Sequence, residues 1–368
     1  MKLAIVHDHL SQNGGAEQVL SVIQRIWPEA PTFTLFFDPD RFPDFAGRDI
    51  RTSFLQRAPF IKSKYQWYVG LMPTATESYD LSAFDVVISN ASAFSKGVLV
   101  RPGALHVCYC HTPTRYLWVN PHSYVQELRA PGAVKALLPP LLSHLRQWDR
   151  QAAERPHVML ANSRGVQERI RAFYARDSVL LHPPVETSRF TVSDAPKTYF
   201  LAGGRLVSYK RFDLIVEACN RLGLPLKIFG TGPVEEALRA QAGSTVEFLG
   251  YVPDEDLPAL YAGAKAFIHP QEEDFGITAV ESMAAGRPVI AYAKGGALET
   301  VVEGKTGMLF DRQDWETLAD VLLGFDEHAF DPQAIRTHAQ AFDTARFVRG
   351  LKELVDAAWE ERRRLCAS

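Results

Sequence analysis

The run from Pro270 to Gly286, PQEEDFGITAVESMAAG, gathers side chains that could do chemistry. Two carboxylates, Glu273 and Glu281, stand with seven residues between them, Phe275-Gly276-Ile277 among these. The apolar run Ala266 to His269 before them reads as a buried strand, and Ile277 to Ala285 reads as a helix. Glu273 then sits in the loop and Glu281 about one turn into the helix, facing the same crevice. Gly276 allows close backbone approach to a ligand, and the N–H groups at the helix start suit an anion such as phosphate. Acceptors for hydroxyls beside an anion site suit a sugar nucleotide; the plainer alternative is a strand-loop-helix connection with solvated acids.

A second constellation lies upstream. The strand-like run Tyr199 to Ala202 leads into GGRLVSYKR, where Gly203 and Gly204 open a loop that carries Arg205 and Lys210. Two cations in such a loop are what a departing diphosphate needs, because they stabilise the charge that grows as its bond breaks. Gly230-Thr231-Gly232 follows the next strand in the same ligand-facing position.

Near the amino terminus, Lys2 to Val6 reads as a strand, HDHLSQNGGAEQ as a loop and Ala16 to Ile26 as a helix. Gly14 and Gly15 fit a tight turn at the carboxyl end of a strand, where open α/β sheets bind ligands, although adjacent glycines also make plain turns. The run Leu105 to Cys110 ends in His111-Thr112-Pro113, placing His111 at a crevice either as a ligand contact or as a hydrogen-bonded structural histidine.

These groups need a scaffold, and the apolar periodicity supplies one. Further strands are expected at Thr32–Phe37, Asp85–Ser89, His157–Ala161 and Ser178–Leu181. A second series follows at Leu226–Phe229, Val246–Leu249, Val289–Ala291 and Met308–Phe310, with helices between. Alternation of this kind implies parallel sheets with helices on both faces. The proline-rich His182 to Lys197 reads as a linker, and Arg346 to Arg364 as an amphipathic helix.

The 368 residues exceed one ordinary core, so two domains are expected. A net charge of -3 argues against bulk nucleic-acid binding. The four cysteines have no metal-site spacing and fit reduced thiols in the cytoplasm. MKLAIVHDHL is too quickly polar for a signal peptide, and Ala133 to Leu145 carries Lys135 and Pro139-Pro140, so neither reads as a membrane span. Arg51 to Thr76 holds four cations, five aromatics among them Phe54, Phe60 and Trp67, and no acid. It reads either as a core with a basic rim or as a surface for an anionic membrane or lipid-linked phosphate.

Gly14-Gly15-Ala16, the HTP turn from His111, the GGR…KR loop and the Glu273/Glu281 pair, in this order, resemble a family 4 retaining glycosyltransferase. The resemblance implies an α/β GT-B fold of two Rossmann-like domains facing across a cleft. It places residues 1–190 as an acceptor-binding domain, 191–345 as a nucleotide-sugar domain and 346–368 as a helix crossing back. Arg205 and Lys210 would hold the donor diphosphate, with Gly204 and Gly232 at the loops. Glu281 would accept from the ribose hydroxyls, and Glu273, with the backbone of Phe275, Gly276 and Ile277, would contact the donor sugar. Gly14 and Gly15 would let the first domain approach the phosphates, and His111 would touch the sugar or support the reaction centre. The base would lie at Gly250 to Pro253, including Val252. No metal or other cofactor is required. Asp38-Pro39-Asp40, formally an Asp-x-Asp, reads as a turn. HTPTRYLW and EEDFGI resemble the branch that uses GDP-mannose on lipid-linked glycans in bacterial surface polysaccharide synthesis, at the inner face of the cytoplasmic membrane. A UDP-hexose such as UDP-glucose as donor, or a non-catalytic nucleotide-sugar-binding scaffold, are the alternatives.

Overall fold

The computed structural model describes residues 1–11, 14–45, 47–119, 132–194 and 196–367. Two units divide the chain: Met1–His182 with Val348–Ser368, and Pro183–Phe347. Each is built on one parallel sheet, and its central strands are apolar on both faces because helices cover both sides.

The strands of the first unit are β1 (Leu3–His7), β2 (Thr32–Thr34), β3 (Ile50–Thr52), β4 (Val86–Ala91), β5 (Leu105–Cys110), β6 (Val158–Ala161) and β7 (Val179–Leu180). Their order is β3-β2-β1-β4-β5-β6-β7, all parallel. Helix α1 (Gly15–Ile26) follows β1 and buries Val19, Leu20, Val22 and Ile23. The register aligns His7 with Asn90 and Asn90 with Tyr109, so polar residues meet at the carboxyl ends of the central strands. Strand β2 is shorter than expected: Leu35 and Leu10 turn their N–H groups to Asp8 and Phe36, so the chain leaves the sheet to pair with the loop after β1. The edge strand β3, mostly exposed, carries too little apolar pattern to have been foreseen.

The second unit repeats the plan. Its strands are β8 (Tyr199–Gly203), β9 (Leu226–Phe229), β10 (Val246–Gly250), β11 (Ala264–His269), β12 (Val289–Tyr292) and β13 (Gly307–Phe310), in the order β10-β9-β8-β11-β12-β13. Helices α2 (Phe212–Leu222) and α3 (Ile277–Ala284) follow β8 and β11. In both sheets strand order reverses beside the first strand, between β1 and β4 and between β8 and β11. Those reversals are where open α/β sheets bind ligands.

The proline-rich segment after His182 is not a free linker. Val185 and Phe190 are buried in the second unit's core, and the backbone of Val185 bonds Phe342 and Thr344. Its apolar residues are too few to show periodicity, yet Val185 and Phe190 fill core positions. The final helix α4 (Thr344–Ala367) buries Phe347, Leu351 and Val355 along one stripe. The apolar run starting at Ala133 falls in the helix Gly132–Ala152. Among the described residues no helix is long and apolar enough to cross a membrane.

Candidate functional site

At the reversal in the second unit, the loops after β8 and β11 bring Lys210 and Glu273 together. Lys210 Nζ lies 2.7 Å from Glu273 Oε1, and both side chains are largely buried. Burial pulls the Lys210 pKa down, but Glu273 outweighs it and the net shift is upward, so Lys210 is held as a cation. Arg205, exposed in the same loop, is near enough to oppose the Lys210 charge. Gly204 has φ +122, and a Cβ there would come within 3.1 Å of Lys210 Nζ, so the glycine gives the ammonium its place.

The neighbouring loops are laced to this one. Gly204 N–H donates to Phe229, Leu206 N–H to Thr231 and Gly230 N–H to Gly250. A Cβ on Gly232 would lie 2.1 Å from the Leu206 carbonyl oxygen, so this glycine is needed for loop-on-loop packing. Val252 follows in the third loop, half-buried against the core.

Gly276 caps α3 at φ +90, with no side chain accepting from the first turn. The N–H groups at that helix start are therefore not taken by a cap. Ile277 begins the helix, Phe275 is buried against Phe342, and the Thr278 hydroxyl, buried at the same end, has no hydrogen-bond partner among the described residues. Glu281, a turn into the same helix, is buried, and its Oε2 accepts from the Tyr261 hydroxyl at 3.0 Å. Burial pushes the Glu281 pKa up to about 7.

Sequence reading missed what supports these groups. His269, at the end of β11, places Nε2 3.8 Å from Glu273 Oε2 and is kept neutral by burial, its pKa lowered to about 4. Gln271 Nε2 lies 3.1 Å from His269 Nδ1. Gly296 N–H donates to the Glu273 carbonyl at 2.8 Å, and a Cβ on Gly295 or Gly296 would strike the Glu273–Phe275 backbone. The doubled glycine at 295–296 was the available signal, since it repeats the pattern read at 203–204.

In the first unit Gly14 caps α1 in extended backbone and Gly15 opens it; Gln12 and Asn13 of that loop lie outside the described residues. His111 follows β5 half-buried, its Nε2 2.7 Å from Asn90 Oδ1. This is the hydrogen bond that the structural-histidine alternative calls for. Asp8, also missed, is buried and accepts four backbone N–H bonds, from Ser92, Ala93, Phe94 and Ser95. Burial raises its pKa, but His7 and the Ser95 and Ser92 donors outweigh that and the net shift is downward. Asp38-Pro39-Asp40 enters a short 3₁₀ turn, with Lys62 Nζ 2.7 Å from Asp38. Among the described residues no three His, Cys, Asp or Glu side chains gather to hold a metal ion.

Two parallel α/β units, each with polar loops at its strand-order reversal, define the GT-B glycosyltransferase fold. Structure comparison gives the same fold: Anabaena Alr3699/HepE in complex with UDP aligns at TM-score 0.72 and 18% identity, covering 97% of this chain and 100% of that one. Sucrose-phosphate synthase from Thermosynechococcus elongatus aligns at TM-score 0.70 and 17% identity over the full length of both. Residues 186–328, within the second unit, match the family model described as glycosyl transferases group 1. Among curated relatives, a GDP-mannose-dependent alpha-(1-6)-phosphatidylinositol monomannoside mannosyltransferase of Mycolicibacterium smegmatis is 30% identical over 217 residues, 50% of this chain and 55% of that protein. O-antigen chain mannosyltransferase B of Escherichia coli is 39% identical over 79 residues, 21% of this chain and 20% of that protein. The chain thus spans about half the length, or less, of the curated relatives it matches.

Proposed function

We propose that the protein is a retaining glycosyltransferase that moves mannose from GDP-mannose to a hydroxyl of a lipid-linked glycan in bacterial surface polysaccharide synthesis. The observation that carries this reading is the Lys210–Glu273 pair beside the side-chain-free start of α3. An ammonium has three donors. Glu273 takes one and fixes the direction of the rest, so Lys210, Arg205 and the N–H groups of α3 together suit the two phosphates of a nucleotide sugar. The orphaned Thr278 hydroxyl at the helix start offers a further donor. Glu281 supplies a carboxylate for ribose hydroxyls.

In the reaction the acceptor hydroxyl attacks the anomeric carbon on the face from which the diphosphate leaves. The bond to the β-phosphate oxygen breaks as the new glycosidic bond forms, and the hydroxyl proton passes to the departing phosphate. Lys210 and Arg205 stabilise the growing charge, which gives two fixed cations the role a metal plays elsewhere. The choice of mannose leans on the names of both matched relatives, and that of GDP-mannose on the mycobacterial one. Donor hydrolysis by the full chain over GDP-mannose, UDP-glucose and other UDP-hexoses, with and without EDTA, tests it. Fastest turnover of GDP-mannose, unchanged by EDTA, is expected; preference for a UDP-sugar would transfer the reading to a glucosyl-type donor, and binding without turnover would favour a scaffold.

Work at a membrane face is part of the same proposal. Phe60 sits at φ +55, a strained setting for an aromatic, and leaves its ring 67% exposed. Trp67 is 66% exposed, with Lys64 Nζ 4.4 Å from its ring centroid, while Tyr65 and Tyr68 turn inward to the core. Exposed aromatics around cations suit an anionic headgroup layer. Co-sedimentation with phosphatidylglycerol vesicles, lost in the Phe60→Ser/Trp67→Ser double variant, is the expected outcome; no binding by the unaltered protein would remove the membrane from the proposal.

A further inference from the structure

Tyr261 is wholly buried in the second unit's core, on the short helix Leu257–Ala262. Its ring is held on three sides. It meets Phe190 and Phe229 edge-on at 5.5 and 5.9 Å between centroids, and Phe267 at a tilt at 5.7 Å. Close packing of this kind fixes the ring, and with it the place of the hydroxyl. That hydroxyl lies 3.0 Å from Glu281 Oε2. An ionised carboxylate can only accept, so the phenol donates.

This contact uses one of the two Glu281 oxygens. Oε1 has no hydrogen-bond partner among the described residues and, unlike the Thr278 hydroxyl, is not sealed from solvent. Two other charges act on Glu281: Arg189 favours its ionised form and Asp254 opposes it. The cation is shared, with Arg189 Nη1 3.5 Å from Asp254 Oδ2, so Tyr261 remains the direct donor to the carboxylate. A phenylalanine would fill the same aromatic cage, and burying a carboxylate costs free energy. Packing alone therefore gives no reason for the pair; a use for the open oxygen does.

We infer that Tyr261 is a positioning residue: held in its aromatic cage, it takes Glu281 by Oε2 and turns Oε1, with both lone pairs, to the ribose hydroxyls of the nucleotide donor. The ribose clause rests on the proposed reading of Glu281, whereas the hydrogen bond is a property of the protein without ligand. All the groups involved belong to the second unit.

The test uses the full chain and Tyr261→Phe, which removes the hydroxyl and keeps the ring. Glu281 is titrated by NMR of protein labelled at the glutamate carboxyl carbons, and assigned through Glu281→Gln. Loss of a donor that favours the charged form should raise the Glu281 midpoint by about one pH unit. Calorimetry should show GDP affinity about fivefold lower in the variant at pH 9, where Glu281 is largely ionised in both proteins, and a wider gap at pH 7. A merely structural tyrosine would weaken binding by one factor at both pH values. With GDP-mannose, KM should rise with kcat little changed, because binding and not bond breaking is altered. An unchanged Glu281 midpoint in Tyr261→Phe overturns the inference outright. A raised midpoint with one affinity ratio at both pH values overturns its ribose clause, and with it the reading of Glu281. Absence of turnover with every donor, beside the expected midpoint and GDP affinities, would defeat the transfer reading alone and leave the positioning role standing.

Discussion

The two units spend their strand-end polar groups differently. In the first, Asp8 takes four backbone N–H bonds, Asn90 meets three partners and His7 meets Glu17, so these groups satisfy one another. In the second, a charged pair joins the β8 and β11 loops, beside a helix start capped by a bare glycine and a hydroxyl without a partner. Networks of the first kind hold a backbone rigid. In the second kind the lysine is paired while the helix start has no side-chain cap, and on the proposed reading both serve the donor diphosphate. The same sheet plan thus yields a fixed wall in one unit and a receptive loop cluster in the other.

Removing the cation should give the largest effect. Lys210→Ala is expected to lower donor turnover by about 10²–10³-fold, as for other groups that stabilise developing charge. The fold should persist, because only a loop pair is broken. Wild-type turnover in that variant, by donor hydrolysis, would leave the second unit without its distinguishing group.

The rigid wall should answer in stability. Asp8→Ala leaves four buried N–H groups without their acceptor, and a loss of about 3 kcal/mol or more is expected in urea unfolding. The Asp8 pKa is depressed in the fold, so its contribution is present above the unfolded value near 3.8 and fades as pH falls below it. Equal stability of variant and parent at pH 7 would mean that the first unit is not held by this carboxylate.

Gly276→Ala probes the helix start. The positive φ and a Cβ 3.2 Å from His269 Nε2 should cost about 1–2 kcal/mol and weaken nucleotide binding. Unchanged melting and unchanged affinity for GDP would show that the cap geometry is dispensable.

The smallest effect is a pH dependence. On the proposed reading, Glu281, with its pKa raised to about 7, accepts from both ribose hydroxyls best as the carboxylate. Affinity for GDP should therefore fall about tenfold from pH 8 to pH 6 by calorimetry. Glu281→Gln should flatten that slope. For stability the sign is reversed: a carboxyl whose folded pKa lies above its unfolded value destabilises the fold as pH rises from 4.5 toward 7. Glu281→Gln should then melt no lower than the parent at pH 8.

Much of this was legible in the sequence where local pattern and backbone freedom coincide. Apolar runs bounded by glycines marked the central strands of both sheets, and Gly203-Gly204, Lys210 and Gly276 marked the second reversal. Edge strand β3 was not, because an exposed three-residue strand has no periodicity to read. Nor were Val185 and Phe190, two isolated apolar residues that a proline-rich segment carries into the core. Asp8, His7 and Asn90 escaped for another reason. Their meaning lies in pairing across strands about 80 residues apart, and no spacing along the chain records which carboxylate will find which four amides. His269 was hidden in the same way: it reads as the last residue of a strand, and only the fold sets it against Glu273.

The central claim is that the second unit grips a diphosphate with Lys210, Arg205 and the start of α3. A crystal structure of the protein with GDP tests it most directly. The β-phosphate is expected within hydrogen-bond distance of Lys210 Nζ and the N–H of Ile277 or Thr278, with the ribose at Glu281. A diphosphate bound with Lys210 still closed on Glu273 and no phosphate oxygen at α3 would contradict it.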